Sequence, residues 1–141
     1  MYSMEGTRSI MGTSVAITVV HPDIGEAKEA VGLAFDEIHK IDDLTSLYNE
    51  KSEVSTLNRD GSHKATSTDL IEVIRRGRYF SELSDGAFDV TVLPVLDLWK
   101  ERLSEGKVPT SSEIGRTLEL VDYRDIAIEG RDITLKKEGM A

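Results

Sequence analysis

The chain has no cysteine, one tryptophan, three prolines and three histidines among its 141 residues. Without cysteine there is no disulfide, no thiolate nucleophile and no cysteine-type zinc site, and the redox compartment is left open. The three histidines, His21, His39 and His63, stand apart without the i, i+4 spacing of a zinc helix, so each reads as a surface residue. No run is long and apolar enough to span a bilayer, and Met1 to Arg8 lacks the basic and apolar regions of a signal peptide. This stretch is therefore expected to be soluble. Positive charge is also scarce: 17 Lys and Arg against 26 Asp and Glu leave a net charge of -9. That balance opposes binding to DNA or RNA, which relies on basic groups meeting phosphates. A nucleotide site here needs a bound cation, backbone N–H donors or a locally basic pocket. Neither Gly-x-Gly-x-x-Gly after a strand nor a Walker phosphate loop is present.

What is present suits one ordinary domain over residues 1–141, with 39% apolar and 30% charged residues and no low-complexity tract. "IMGTSVAITVV", Ile10 to Val20, alternates through Val15, Ile17 and Val19 and predicts the first strand. Gly12 ahead of it permits close backbone approach, and Thr13 supplies a hydroxyl. Asp23 offers an N-cap for an amphipathic helix carrying Ala27, Val31, Phe35 and Ile38 to about Leu44. Asp36, Glu37, Asp42 and Asp43 form the solvated side of that helix. Ser46 and Ser52 are capping serines in a connection with one short helix at Glu53 to Leu57. Thr66 and Asp69 have capping-box spacing before a second long helix that stops near Asp85 and Gly86, with Gly77 inside it. A charged tract after Trp99 leads to a helix from about Ser112 to Leu120, and "DIAIEGRDITL" reads as a hairpin turning at Glu129 to Arg131. The expected fold class is α+β: an N-terminal strand, amphipathic helices on a mostly antiparallel sheet, and a C-terminal hairpin.

One stretch resists a purely structural reading. In "SDGAFDVTVLPVLDLW", Ser84 to Trp99, an acidic glycine turn runs into an apolar segment broken by a proline. Taken in order, Met11-Gly12-Thr13, then Ser46-Leu47-Tyr48 with Ser52-Glu53 and Leu57-Asn58, then Gly86-Ala87-Phe88-Asp89 with Thr91, Pro94 and Leu98-Trp99, the sequence resembles the ApbE family. Those proteins are FAD:protein FMN transferases, formerly called thiamine biosynthesis lipoproteins. The resemblance runs from about Met4 to the last residue and implies a partial ApbE-like fold. It implies cleavage of the FAD pyrophosphate and transfer of FMN to a threonine of a target flavoprotein in an electron-transport complex, using Mg2+.

Carried over residue by residue, it implies flavin contacts from Met11, Tyr48, Ala87, Phe88 and Asp89. A tyrosine ring can stack on a flavin or adenine face, backbone N–H groups after Gly86 can meet the ligand, and Asp89 can accept a ligand hydrogen bond. Val90, Val92, Leu96, Leu98 and Trp99 would then anchor the far side of the turn in the core. Asp85 stands where the family usually has a small residue and is given no role.

Family members are about twice this long and continue into an Asp-x-Gly-Gly-x-x-Lys-Gly segment and a later acidic and threonine motif that holds magnesium. Neither motif occurs in these residues. The catalytic groups and Mg2+ ligands are accordingly expected there, and these residues alone are expected to carry part of the flavin pocket without transferase activity. The family usually begins with a lipoprotein signal, which implies a lipid-anchored, extracytoplasmic full-length protein. A final hairpin with an exposed edge suggests self-association. Two other readings stand beside this one: a stand-alone flavin-binding or flavin-sensing module, and an interaction domain for the flavin-receiving protein.

Overall fold

The structure, a computed structural model, describes all 141 residues. It forms two compact units, Met1–Ser52 and Glu53–Ala141. No helix is long and apolar enough to cross a membrane.

The first unit is a hairpin under a long helix. Strand β1, Tyr2–Ile10, pairs antiparallel with β2, Thr13–His21, from Tyr2 opposite His21 to Ile10 opposite Thr13. The strand expected from Ile10 thus begins at Thr13, and an unexpected strand precedes it. Met11 and Gly12 are the two-residue turn between them, with φ of 55° and 71°, the positive values a type I′ turn requires. An added Cβ on Gly12 would meet nothing within 4 Å, so its positive φ, and not close approach, calls for glycine.

β1 hides its alternation because two positions facing the helix carry atypical residues. Gly6 sits opposite Ile17 and Arg8 opposite Val15. A Cβ on Gly6 would lie 2.7 Å from Val31 Cγ1, and the Arg8 guanidinium lies 4.6 Å from the centre of the Phe35 ring. Helix α1, Ile24–Thr45, starts as its sequence dictates: Asp23 Oδ1 accepts from the N–H groups of Gly25 and Glu26 at 2.7 and 3.0 Å. It buries Ala27, Val31 and Phe35 against the hairpin, with Ile10, Met4, Val15, Ile17 and Val19 completing the core. Burial of each large side chain there contributes about 1.5–3 kcal/mol.

The second unit contains α2 (Glu53–Asp60), β3 (Ser62–His63), α3 (Thr68–Leu83), α4 (Leu93–Ser104), α5 (Ser111–Leu118), a 3-10 turn (Tyr123–Asp125), β4 (Ile126–Glu129) and β5 (Asp132–Leu135). The last two strands form the expected hairpin, and β3 adds to β5, giving an antiparallel sheet ordered β3-β5-β4. Leu57, Ile71, Ile126, Ile133, Leu135 and Met140 make the core.

The cap of α3 differs from expectation. Ser67, not Thr66, accepts from Leu70 N–H at 3.2 Å, and the Glu53 carboxylate accepts from Ser67 N–H and Oγ at 3.0 and 2.8 Å. Thr66 is fully buried and bonds to His63 instead. Gly77 has a packing reason to interrupt α3, because a Cβ there would lie 2.4 Å from Val90 Cγ1.

Beyond Val90, which packs half-buried against the core, the apolar run after the Asp85 turn is not a core anchor. It is α4, with Pro94 in its first turn and no buried residue. Val92, Leu96, Trp99 and Leu103 recur at four-, three- and four-residue steps and share one exposed stripe; Leu96 is 56% exposed. Leu98 and Val90 are only half-buried. On another side of α4, Arg102 donates to Glu113 Oε1 at 2.6 Å, while Glu113 closes a capping box with Thr110 that starts α5 one residue earlier than expected.

Candidate flavin site

Met11 and Tyr48, separated by a strand and a 22-residue helix, line one cavity of about 410 Å3 in the first unit. Gly12, Asp42, Thr45, Ser46 and Leu47 complete its wall. The hairpin turn supplies Met11, and the last turn of α1 with the chain beyond it supplies the rest. Ser46 Oγ accepts from Tyr48 N–H at 3.3 Å, and Ser52 Oγ donates to Ser46 O at 2.8 Å, which ties this connection into a defined loop. Ser46 and Ser52 thus brace the loop that leads from α1 to α2.

Tyr48 is 97% exposed and Met11 49% exposed, so a ring and a thioether are offered freely to a planar ligand. The size falls within the range of small-molecule pockets. Asp42, expected on the solvated side of α1, is half-buried in this wall, one helical turn before Thr45. The pairing of a pocket-lining acid with Thr45 at i, i+3 was the available signal. Asp42 is the one charged residue in the lining, so this cavity suits a neutral ring or a hydrogen-bond donor and not a pyrophosphate.

Ala87, Phe88 and Asp89 belong to the second unit. Their turn begins as the end of α3: Gly86 N–H donates to Ser81 O at 2.8 Å and Asp85 N–H to Glu82 O at 3.1 Å, the bond pair of a Schellman cap. Asp85 and Gly86 both have positive φ, 52° and 79°. Ala87 N–H then donates to Ser84 O at 3.1 Å and Phe88 N–H to Ser84 Oγ at 3.0 Å.

The backbone donors expected to meet a ligand are therefore engaged inside the turn. What the turn presents outward is the Ala87 methyl and the half-exposed Phe88 ring. The Asp89 carboxylate is likewise engaged, accepting from Thr91 N–H and Oγ1 at 2.8 and 2.7 Å and from Tyr123 N–H at 3.0 Å. No group of three or more His, Asp or Glu side chains is arranged to hold a metal ion.

A profile of the ApbE family matches residues 11–141, which include all five candidate contacts. The chain belongs to the ApbE family. It is 29% identical over 133 residues to a FAD:protein FMN transferase of Vibrio cholerae serotype O1, a match covering 91% of this chain and 39% of that protein. The ApbE protein of Thermotoga maritima superposes with a TM-score of 0.82 at 26% identity, over 99% of this chain and 46% of that one. The apo flavinyl transferase ApbE of Pseudomonas stutzeri gives a TM-score of 0.82 at 24% identity over the same shares, a likeness of fold. This ApbE chain thus spans less than half the length of these relatives, and its α+β fold of helices with antiparallel sheets is theirs over that span.

Proposed function

We propose that this chain provides the flavin-ring side of an FAD:protein FMN transferase. The observation carrying this reading is that Met11 and Tyr48, two residues singled out by family resemblance, line one cavity of ligand size. Tyr48 stacks on the ring system and Met11 fills against its edge; in the second unit Ala87 and Phe88 are flavin contacts on the family resemblance alone. In the proposed reaction the hydroxyl of a target threonine attacks the phosphorus on the FMN side of the FAD pyrophosphate. The bond to the AMP phosphate breaks, and AMP leaves. Mg2+, when bound, would neutralise phosphate charge; its ligands and the groups that activate the threonine are assigned to the part of the family fold that these residues do not match.

The acceptor is a flavoprotein of an electron-transport complex, and the intact protein is lipid-anchored outside the cytoplasm; both follow from the resemblance. Self-association of this chain is part of the same reading, and light scattering showing a monomer at high concentration removes it.

Titration of FAD into the chain, with and without Mg2+, tests the reading. The expected result is weak binding indifferent to Mg2+, with no FMN or AMP released, and about tenfold weaker binding in Tyr48→Ala, equivalent to roughly 1.4 kcal/mol. Absence of any flavin response, or a response unchanged in both Tyr48→Ala and Met11→Ala, sinks it. Tight binding without Mg2+ instead favours the stand-alone flavin module.

A further inference from the structure

Two side chains close a hydrogen-bond circuit between residues more than 30 apart in sequence. Asp89 Oδ1 accepts from Thr91 N–H and Oγ1, and Oδ2 accepts from Tyr123 N–H at 3.0 Å. Thr91 Oγ1, having donated its proton to Asp89, accepts from Asp122 N–H at 2.9 Å. Thr91 is 2% exposed, so these bonds replace water and leave few alternatives. The circuit bolts the start of α4 to the 3-10 turn that feeds β4. Upstream of the circuit, the turn at residues 85–88 is bolted to the end of α3 through the bonds of Asp85, Gly86, Ala87 and Phe88 to Ser81, Glu82 and Ser84.

We infer that Asp89 is a positioning residue and not a ligand contact: with Thr91 it forms a latch that holds Ala87 and Phe88 in the conformation presented to the flavin. This rests on the flavin reading above. Phe88 lies between two anchors, Ser84 before it and the Asp89 latch after it, and its ring is half-exposed. A half-exposed contact ring is held in one direction best when its backbone is set from both sides, and only the downstream bolt reaches a distant segment.

Three variants separate the possibilities. Thr91→Val deletes the hydroxyl at nearly constant shape, Asp89→Asn turns one acceptor into a donor facing another N–H, and Thr91→Ser keeps the hydroxyl. Amide exchange should quicken about threefold to tenfold at residues 87–88 and 122–123 in Thr91→Val and in Asp89→Asn, with the double variant no worse than either single one and Thr91→Ser close to the parent. FAD affinity should fall by similar factors in both disrupting variants. Unchanged exchange at 87–88 in Thr91→Val overturns the latch. Weakened FAD binding in Asp89→Asn with none in Thr91→Val makes Asp89 a ligand contact and overturns its assignment. Faster exchange with unaltered FAD affinity reduces the circuit to a structural brace. If the parent binds no flavin, the exchange measurements still decide whether the latch sets the turn, and the failure belongs to the flavin reading.

Discussion

Met11-Gly12 in the first unit and Asp85-Gly86 in the second are the same backbone device: a non-glycine residue followed by glycine, all four at positive φ. Neither glycine is crowded, since a Cβ on either would meet nothing within 4 Å. Their first residues differ in what they gain. Asp85 and Gly86 cap a helix with one N–H-to-carbonyl bond each, and Asp tolerates the left-handed region well. Met11 occupies a turn position that favours Asn, Asp or Gly, and it lines the Tyr48 cavity. Left-handed strain at Asp85 is repaid by local hydrogen bonding, whereas at Met11 the turn asks for a different residue. On the flavin reading proposed above, Met11 is kept there for its side chain.

The largest test of this contrast uses the glycines chosen for space instead of φ. Gly6→Ala should destabilise by about 1–3 kcal/mol in urea unfolding, because the new methyl meets both Val31 and Phe35. Gly77→Ala faces a closer contact, but with Val90 alone, and regains about 1 kcal/mol of helix propensity, so its net cost should be smaller. A larger loss at Gly77 than at Gly6 would show that Val90 cannot move aside and that the second unit is the more rigidly packed. A smaller effect is expected from the turn residues themselves. Met11→Asn should stabilise by up to about 1 kcal/mol while weakening flavin binding, and Asp85→Asn should change stability by less than about 0.5 kcal/mol. If Met11→Asn leaves flavin affinity intact, the two turns are alike in function as well as backbone.

These turns also mark where sequence reading succeeds and stops. Asp23, the α1 periodicity and the final hairpin were legible because capping and alternation are local signals. β1 was not, since its inward positions hold Gly6 and Arg8, whose value lies in contact with a helix read only later in the chain. α4 was legible as apolar but misplaced, because periodicity identifies a stripe without saying what covers it. Asp89 bonds to Thr91 at a local two-residue spacing, but its bond to Tyr123 is set by tertiary pairing that no local pattern reports. Ser67 took the cap from Thr66 for the same reason, as Glu53 of a preceding helix steadies it.

Acid should separate the units by their caps. In the second, the N–H and hydroxyl of Thr110, with Arg102 beside them, hold the Glu113 carboxyl down from 4.5 to about 2. In the first, the N–H groups of Glu26 and Gly25 hold the Asp23 carboxyl below 3.8. Each group binds its proton more weakly when folded, so each contributes stability that is complete above its unfolded value and fades as pH falls through the folded one. The Glu113 contribution therefore begins to fade near pH 4.5 and is gone near 2, while that of Asp23 begins to fade only below 3.8. Residue-resolved exchange along an acid series should show α5 loosening at a higher pH than the first turn of α1. Glu113→Gln should flatten the response of α5 between pH 4.5 and 2 without altering that of α1. Simultaneous loosening of both helices would mean that the two caps do not act as independent supports and that acid sensitivity belongs to the chain as a whole.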